Sequence, residues 1–265
     1  MNVLDRLAGG ARERVAEAKA RKSLSELAAE AKELPRGDFA FEKALGKEGL
    51  SFICECKKAS PSKGLIAPDF PYLQIAGEYE KAGADAISVL TEPREFLGSD
   101  RYLADIAAQV RIPCLRKDFT VDEYMLYEAK ILGASAVLLI CSILDAGRIK
   151  EYIALCDKLG LSALVEAHDA EEIQKALRAG ARIIGVNNRN LKDFSVNMEN
   201  SARLRELVPP EVIFVAESGI KEAADVKAAA DMGADAVLVG EALMRAADKE
   251  AKLREFYTAA GRVKR

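Results

Sequence analysis

Histidine is almost missing from this 265-residue chain: His168 is the only one, beside 39 basic and 42 acidic side chains. It has no neighbouring candidate ligands at a recognised metal spacing, so no resident metal is expected. Cysteine offers no substitute. Cys54, Cys56, Cys114, Cys141 and Cys156 form an odd set without a CxxC motif, mostly in or beside apolar strand-like runs. That pattern reads as buried free thiols rather than disulfides or ligands. No apolar run approaches the roughly 18 residues needed to cross a bilayer. The opening MNVLDRLAGGARERVAEAKA mixes acids with bases and lacks the continuous apolar segment of a secretory signal. A cytoplasmic, reducing location with no membrane partner is the expectation. Neither sign of charge dominates, the net being −3 with no long basic block, which argues against nucleic acid as a partner. An anionic small molecule would have to be held by local cations. Also missing are a GxGxxG after the first strand-like run and any low-complexity or Pro/Ser-rich linker, so neither a dinucleotide fold nor a second domain has an obvious start.

What is present is a repeat. Gly-Ala followed by an apolar run begins at Gly83, Gly133, Gly180 and Gly233, at intervals of 50, 47 and 53 residues. Each glycine follows a helical pattern it can terminate in a left-handed conformation, and each run has the length of a buried parallel strand. Halving the interval predicts further strands at 111–117, 160–167 and 211–218, and SFICECKK at 51–58 opens the series. Eight strands alternating with amphipathic helices such as YLQIAGEYEKAG predict an α/β fold, a (β/α)8 TIM barrel over 51–265, in one domain. Residues 1–50 read as a helical N-terminal extension packed on the barrel, with Ser23 and Glu26 spaced as a capping box.

In such barrels the C-terminal strand ends converge on one mouth, so polar residues there carry functional weight. Those ends supply Glu55, Lys57, Lys117, Glu166, Asn187 with Arg189 just beyond, Glu217 with Ser218, and Gly240. Alternation along a strand places Glu55 and Lys57 on one face, inward, and Cys54 and Cys56 on the other, toward the helices. It also puts Leu115 with Lys117, and Leu164 with Glu166 and His168. Any one of these charges can be a structural ion pair; several buried together at one mouth point to chemistry. Ser218-Gly219 and Gly240-Glu241, after the last two strands, sit where barrels commonly bind phosphate with backbone amides. The segment 59–70, ASPSKGLIAPDF, reads either as a mobile loop over the mouth or as a rigid turn. His168 reads as a strand-end histidine satisfied by hydrogen bonds, with a direct role the less favoured alternative.

The ordered series ECKKASPSKG, LTEPREFLGS, LRKDF, LVEAHD, GVNNRNL, VAESGI and VGEALM, spanning about residues 35 to 246, resembles the indole-3-glycerol phosphate synthase family. The resemblance implies a small-molecule substrate, 1-(2-carboxyphenylamino)-1-deoxyribulose 5-phosphate, and a reaction without cofactor. It implies Lys117 as the acid protonating the ketone oxygen, with Lys57 facing the substrate carboxylate. Glu55 and Glu166 would arrange the lysines and move protons, and Asn187 and Glu217 would hold hydroxyls or neighbouring side chains. Ser60 and Arg189 would assist anchoring. Phosphate would sit on Ser218, Gly219, Gly240 and the amide of Glu241; the aryl ring would lie among Phe96, Phe119, Leu138 and Leu191. A tryptophan-pathway enzyme as physical partner is left open. Two departures stand out: Glu241 occupies a position where some relatives carry a hydroxyl residue, and there is no tryptophan to cover the site from the N-terminal extension. Competing readings are a Schiff-base aldolase with Lys117 as nucleophile and a catalytically silent scaffold.

Overall fold

Each Gly-Ala step falls where a helix gives way to a strand. The four glycines have φ between 78 and 96°, the left-handed backbone that stops a helix at little cost only when no side chain is present. The computed structural model describes residues 3–190 and 194–261. Helices α1 (Val3–Arg21), α2 (Leu24–Glu33) and α3 (Ala40–Leu45) come first. The strands are β1 (Ser51–Cys56), β2 (Ala86–Leu90), β3 (Cys114–Lys117), β4 (Ala136–Ile140), β5 (Ser162–Ala167), β6 (Ile183–Asn187), β7 (Ile213–Glu217) and β8 (Ala236–Val239). Between them run α4 (Tyr72–Ala82), α5 (Asp100–Gln109), α6 (Tyr124–Ile131), α7 (Ala146–Leu159), α8 (Ala170–Arg178), α9 (Glu199–Arg205) and α10 (Ala223–Asp231), and α11 (Glu241–Arg245) and α12 (Lys249–Ala259) follow β8. Every strand pairs in parallel with its sequence neighbours, and β1 closes on β8 through Ser51↔Ala236 to Cys54↔Val239. The barrel is therefore the one the repeat predicts. Its strands are shorter than the apolar runs because each Gly-Ala-x step is a turn; in two of these turns Asp85 and Asp235 accept the amides of Phe52 and Phe214 on the neighbouring strands, at 2.9 and 2.7 Å.

Strand alternation divides the apolar residues into two cores. Ile53, Leu115, Leu138, Leu164, Ile183, Val215 and Leu238 fill the lumen. Phe52, Cys54, Cys56, Val165 and Phe214 face outward and pack against the helices. The two cysteines of the CxC are thus helix-facing core, and all five thiols are free and buried.

The extension touches the barrel in three places. Phe41 and Leu45 of α3 join the lumen cluster and stopper its N-terminal end. Leu27 of α2 packs with Tyr124 and Met125 of α6, and the Ser23–Glu26 capping box forms at the start of α2. Helix α1 lies toward the mouth, tied to the loops after β2 and β3 by Arg6–Glu95 at 2.8 Å, Glu13–Arg94 at 2.6 Å, Arg14–Asp118 at 2.7 Å and Lys19–Asp122 at 2.8 Å. Among the described residues no helix is long and apolar enough to cross a membrane.

Candidate active site

The mouth of the barrel encloses about 1090 Å³, its open entrance included. Odd-numbered strands carry its charge. Glu55 and Lys57 come from β1 and its end, Lys117 from β3, Glu166 from β5 and Glu217 from β7. Lys57 Nζ lies 2.7 Å from Glu55 Oε1, and Ser88 donates to Glu55 Oε2 at 3.3 Å. Lys117 Nζ stands between two carboxylates, 3.6 Å from Glu166 Oε2 and 3.6 Å from Glu217 Oε2. The three glutamates are almost wholly buried. Charges taken out of water this far persist only when paired.

Three carboxylates face two ammonium groups, one negative charge in excess, and the titration of the cluster follows. Burial opposes charge on Lys117, but Glu217, Glu166 and Glu55 outweigh it and raise its pKa, so the ammonium holds its proton. Burial pushes Glu55 up, yet Lys57 and Lys117 carry it below its ordinary value. Glu217 absorbs the excess: burial, reinforced by Glu166 and Glu55 against the pull of Lys117, pushes it to about 8. Its Oε1 is buried without a hydrogen-bond partner among the described residues. Room for that carboxyl comes from Gly185, where a Cβ would lie 2.1 Å from Glu217 Oε1; at Gly240 a Cβ would lie 2.6 Å from Glu55 Oε1 and 2.8 Å from Lys57 Nζ.

Around the charges stand a polar rim and an apolar wall. After β7, Ser218 and Gly219 take positive φ in succession, 65 and 100°, a tight turn in which glycine carries no Cβ penalty. Asn188 braces this turn by donating to Ser218 O at 3.2 Å. Gly219, Gly240, Glu241, Ser60, Asn187 and Arg189 all line the cavity. Asn187 Oδ1 accepts the Arg189 amide at 3.0 Å, and Arg189 Nη1 donates to Phe194 O at 3.2 Å. Phe96 and Phe119, with ring centroids 6.2 Å apart, form the wall. Within segment 59–70, residues 59–65 fold as a tight antiparallel hairpin, Ala59–Ser60 against Gly64–Leu65, with Pro61 and Ser62 at the cavity.

Two expected residues, Leu138 and Glu166, stand apart from the lining. Leu138 is buried in the lumen, paired with Leu164 one step below the Ile140↔Glu166 level, too deep to reach the wall. Leu191 lies outside the described residues. Glu166 sits behind Lys117 rather than on the cavity surface. The sequence reading missed Val3, Leu4 and Leu7 of α1, together with Phe194, Val196 and Lys221. The α1 residues and Phe194 provide apolar cover in a chain without tryptophan.

Fold and mouth together define a (β/α)8 barrel enzyme with its site at the C-terminal strand ends. Comparison with known proteins narrows the class. The indole-3-glycerol phosphate synthase family model matches residues 4–256. A protein of that name from Ruminiclostridium cellulolyticum is 57% identical over 252 residues, covering 95% of this chain and 97% of the relative. Another from Endomicrobium trichonymphae is 52% identical, covering 96% and 99%. Among solved structures, 3-hexulose-6-phosphate synthase from Salmonella typhimurium superposes with a TM-score of 0.62 at 16% identity, over 80% of this chain and 98% of that one; at that identity the likeness concerns the fold. The chain belongs to the indole-3-glycerol phosphate synthase family, decarboxylating lyases of tryptophan biosynthesis.

Proposed function

We propose that the charged mouth carries out the family's reaction on 1-(2-carboxyphenylamino)-1-deoxyribulose 5-phosphate, with Lys117 as the acid of the ring-closing step. The observation that supports this most directly is the position of Lys117 Nζ, 3.6 Å from each of two buried carboxylates at the strand ends. Phosphate lies on the amides of Gly219 and Glu241 with the Ser218 hydroxyl, and Lys221 adds a cation at the same cavity. The aryl ring packs on Phe96 and Phe119 under Leu4 and Leu7, leaving its carboxylate to Lys57. Ser60 and Arg189 complete the anchorage.

In this pose the ring carbon bearing the carboxylate attacks the ketone carbon while Lys117 protonates the ketone oxygen. Loss of CO₂ returns the bonding pair to the ring and restores aromaticity. The new hydroxyl leaves as water with a proton from Lys57, and Glu166, acting through the Lys117 amine that the first step left neutral, draws a proton from the adjacent carbon to form the indole double bond. Glu55 holds Lys57, and Glu217, protonated at neutral pH, can return a proton to Lys117. Asn187 holds a sugar hydroxyl. A Schiff-base aldolase would need Lys117 as a neutral amine, and the three carboxylates push it the other way.

Incubation with the arylamino sugar phosphate should release a product with indole fluorescence. Absence of product from folded enzyme rejects the proposal, and a borohydride-trapped adduct on Lys117 would establish the aldolase instead.

A further inference from the structure

His168 follows β5 two residues beyond Glu166, on the same strand face, and its ring is fixed from one side. Glu172 of α8 accepts the His168 backbone amide at 2.8 Å and lies 3.2 Å from Nδ1, while Ser142, after β4, donates to Glu172 Oε1 at 2.6 Å and sits 3.4 Å from Nδ1. Thus held, the ring directs its buried Nε2, without a hydrogen-bond partner among the described residues, at Glu166 Oε1 across 3.6 Å. The other oxygen of that carboxylate faces Lys117. Beyond the imidazole opens a second, polar pocket lined by His168, Glu172, Asn187 and Asn200. Glu166 lines neither pocket; the two adjoin at Leu4, Asn187 and Arg189, which line both.

We propose that His168 is a positioning residue for Glu166, clamping its carboxylate against Lys117. The physical case is orientation plus charge. A carboxylate gripped at one oxygen only can swing; gripped at both, it keeps one edge on Lys117 through the reaction. An imidazolium also favours the ionised form of the base it faces. Burial lowers the affinity of His168 for its proton, but the hydrogen bond to Glu172 and the charges of Glu166, Glu172 and Glu217 prevail and raise its pKa. Asp169 and Arg189 are the other charged groups lining the rear pocket.

The inference rests on the assignment of Glu166 as base, so its test has a part that needs no turnover. His168 is the only histidine, and its ring resonances can be titrated by NMR in the intact protein without assignment. The midpoint should lie above the ordinary value of about 6.5, and Glu166→Gln should lower it by at least about half a unit; an unmoved midpoint overturns the contact whether or not the enzyme turns over. In the kinetic part, His168→Ala should lower kcat about tenfold or more with KM within about threefold, and shift the acidic limb of the kcat/KM profile to higher pH. His168→Gln, whose amide can still reach Glu166, should recover part of kcat but not the limb, and serves if the alanine variant fails to fold. Wild-type kcat with an unshifted limb in either folded variant overturns the proposal. An inactive wild-type enzyme with a normal NMR result would reject the function assigned to the mouth and leave the His168–Glu166 link standing.

Discussion

At the floor of the barrel, Phe41 and Leu45 of α3 are completely buried among lumen residues, whereas at the mouth Val3, Leu4 and Leu7 of α1 roof a cavity walled by two lysines and buried carboxylates. One N-terminal extension supplies both closures. The floor is apolar and filled, the solution that maximises burial and dispersion. The mouth leaves volume open and holds a carboxylate protonated against its ordinary preference. The difference separates what keeps the barrel together from what it is for: substitutions at the floor should cost stability, and those at the mouth should cost turnover.

Lys117→Met tests that division most severely. The acid interaction strengthens only as charge develops on the ketone oxygen, so kcat should fall about 10²–10⁴-fold. Substrate binding, measured by fluorescence titration, should stay within roughly tenfold because phosphate and aryl contacts persist. Single-turnover rates near wild type would remove Lys117 from the acid role and move the assignment to Lys57. Phe41→Ala is the mirror experiment. Truncating a fully buried aromatic should cost about 3–5 kcal/mol in denaturant unfolding, while kcat per folded molecule stays near wild type. A large loss of kcat in folded protein would show that the floor and the mouth are coupled.

Glu217→Gln probes the cost the mouth carries. With its pKa near 8 in the folded chain against about 4.3 unfolded, Glu217 binds more protons in the native state between those limits. Its contribution to stability is therefore present below about pH 4 and lost as pH rises through about 8. The amide cannot ionise, so the variant should gain on the order of 3–4 kcal/mol relative to wild type on going from pH 5 to pH 8, with reduced turnover. Parallel stability curves for the two proteins would show that Glu217 is ionised in both states.

The same comparison explains what was legible in the sequence. Strand alternation identified the inward face, so Glu55 with Lys57 and the helix-facing cysteines could be read directly. Alternation does not give depth along the barrel axis. Leu138 points inward but pairs with Leu164 below the Glu166 level, whereas Leu238 pairs with Glu217 and does reach the cavity. Depth depends on register between strands, which no single strand encodes. The roof was illegible for a related reason: Leu4 and Leu7 look like ordinary packing positions of an amphipathic helix, and only the docking of α1, through pairs such as Arg14–Asp118 spanning 104 residues, brings them over the mouth. Glu166 and His168 were visible as a same-face pair, but the clamp depends on Glu172 of the next helix.

The smallest expected effect distinguishes anchorage from chemistry within the mouth itself. If phosphate is held at the turn after β7, inorganic phosphate should compete with substrate, and removing the Ser218 hydroxyl should weaken that competition about tenfold to a hundredfold, the range for one hydrogen bond to an anion. Such a contact is made equally in the ground and transition states, so Ser218→Ala should raise KM and leave kcat near wild type. Gly219→Asp should weaken phosphate further by repulsion, but it confounds the reading. The residue there has φ of 100°, and a Cβ would stand 2.6 Å from Met198 Sδ, so backbone strain would accompany the charge. Ser218→Ala leaves the turn intact, because Asn188 braces it through the Ser218 carbonyl rather than the hydroxyl. An unchanged inhibition constant for phosphate in Ser218→Ala would take the hydroxyl out of the anchorage and leave the anion to the backbone amides. If Gly219→Asp also left it unchanged, the site would have to lie away from β7 and β8, and the pose that brings the ketone to Lys117 would have to be redrawn.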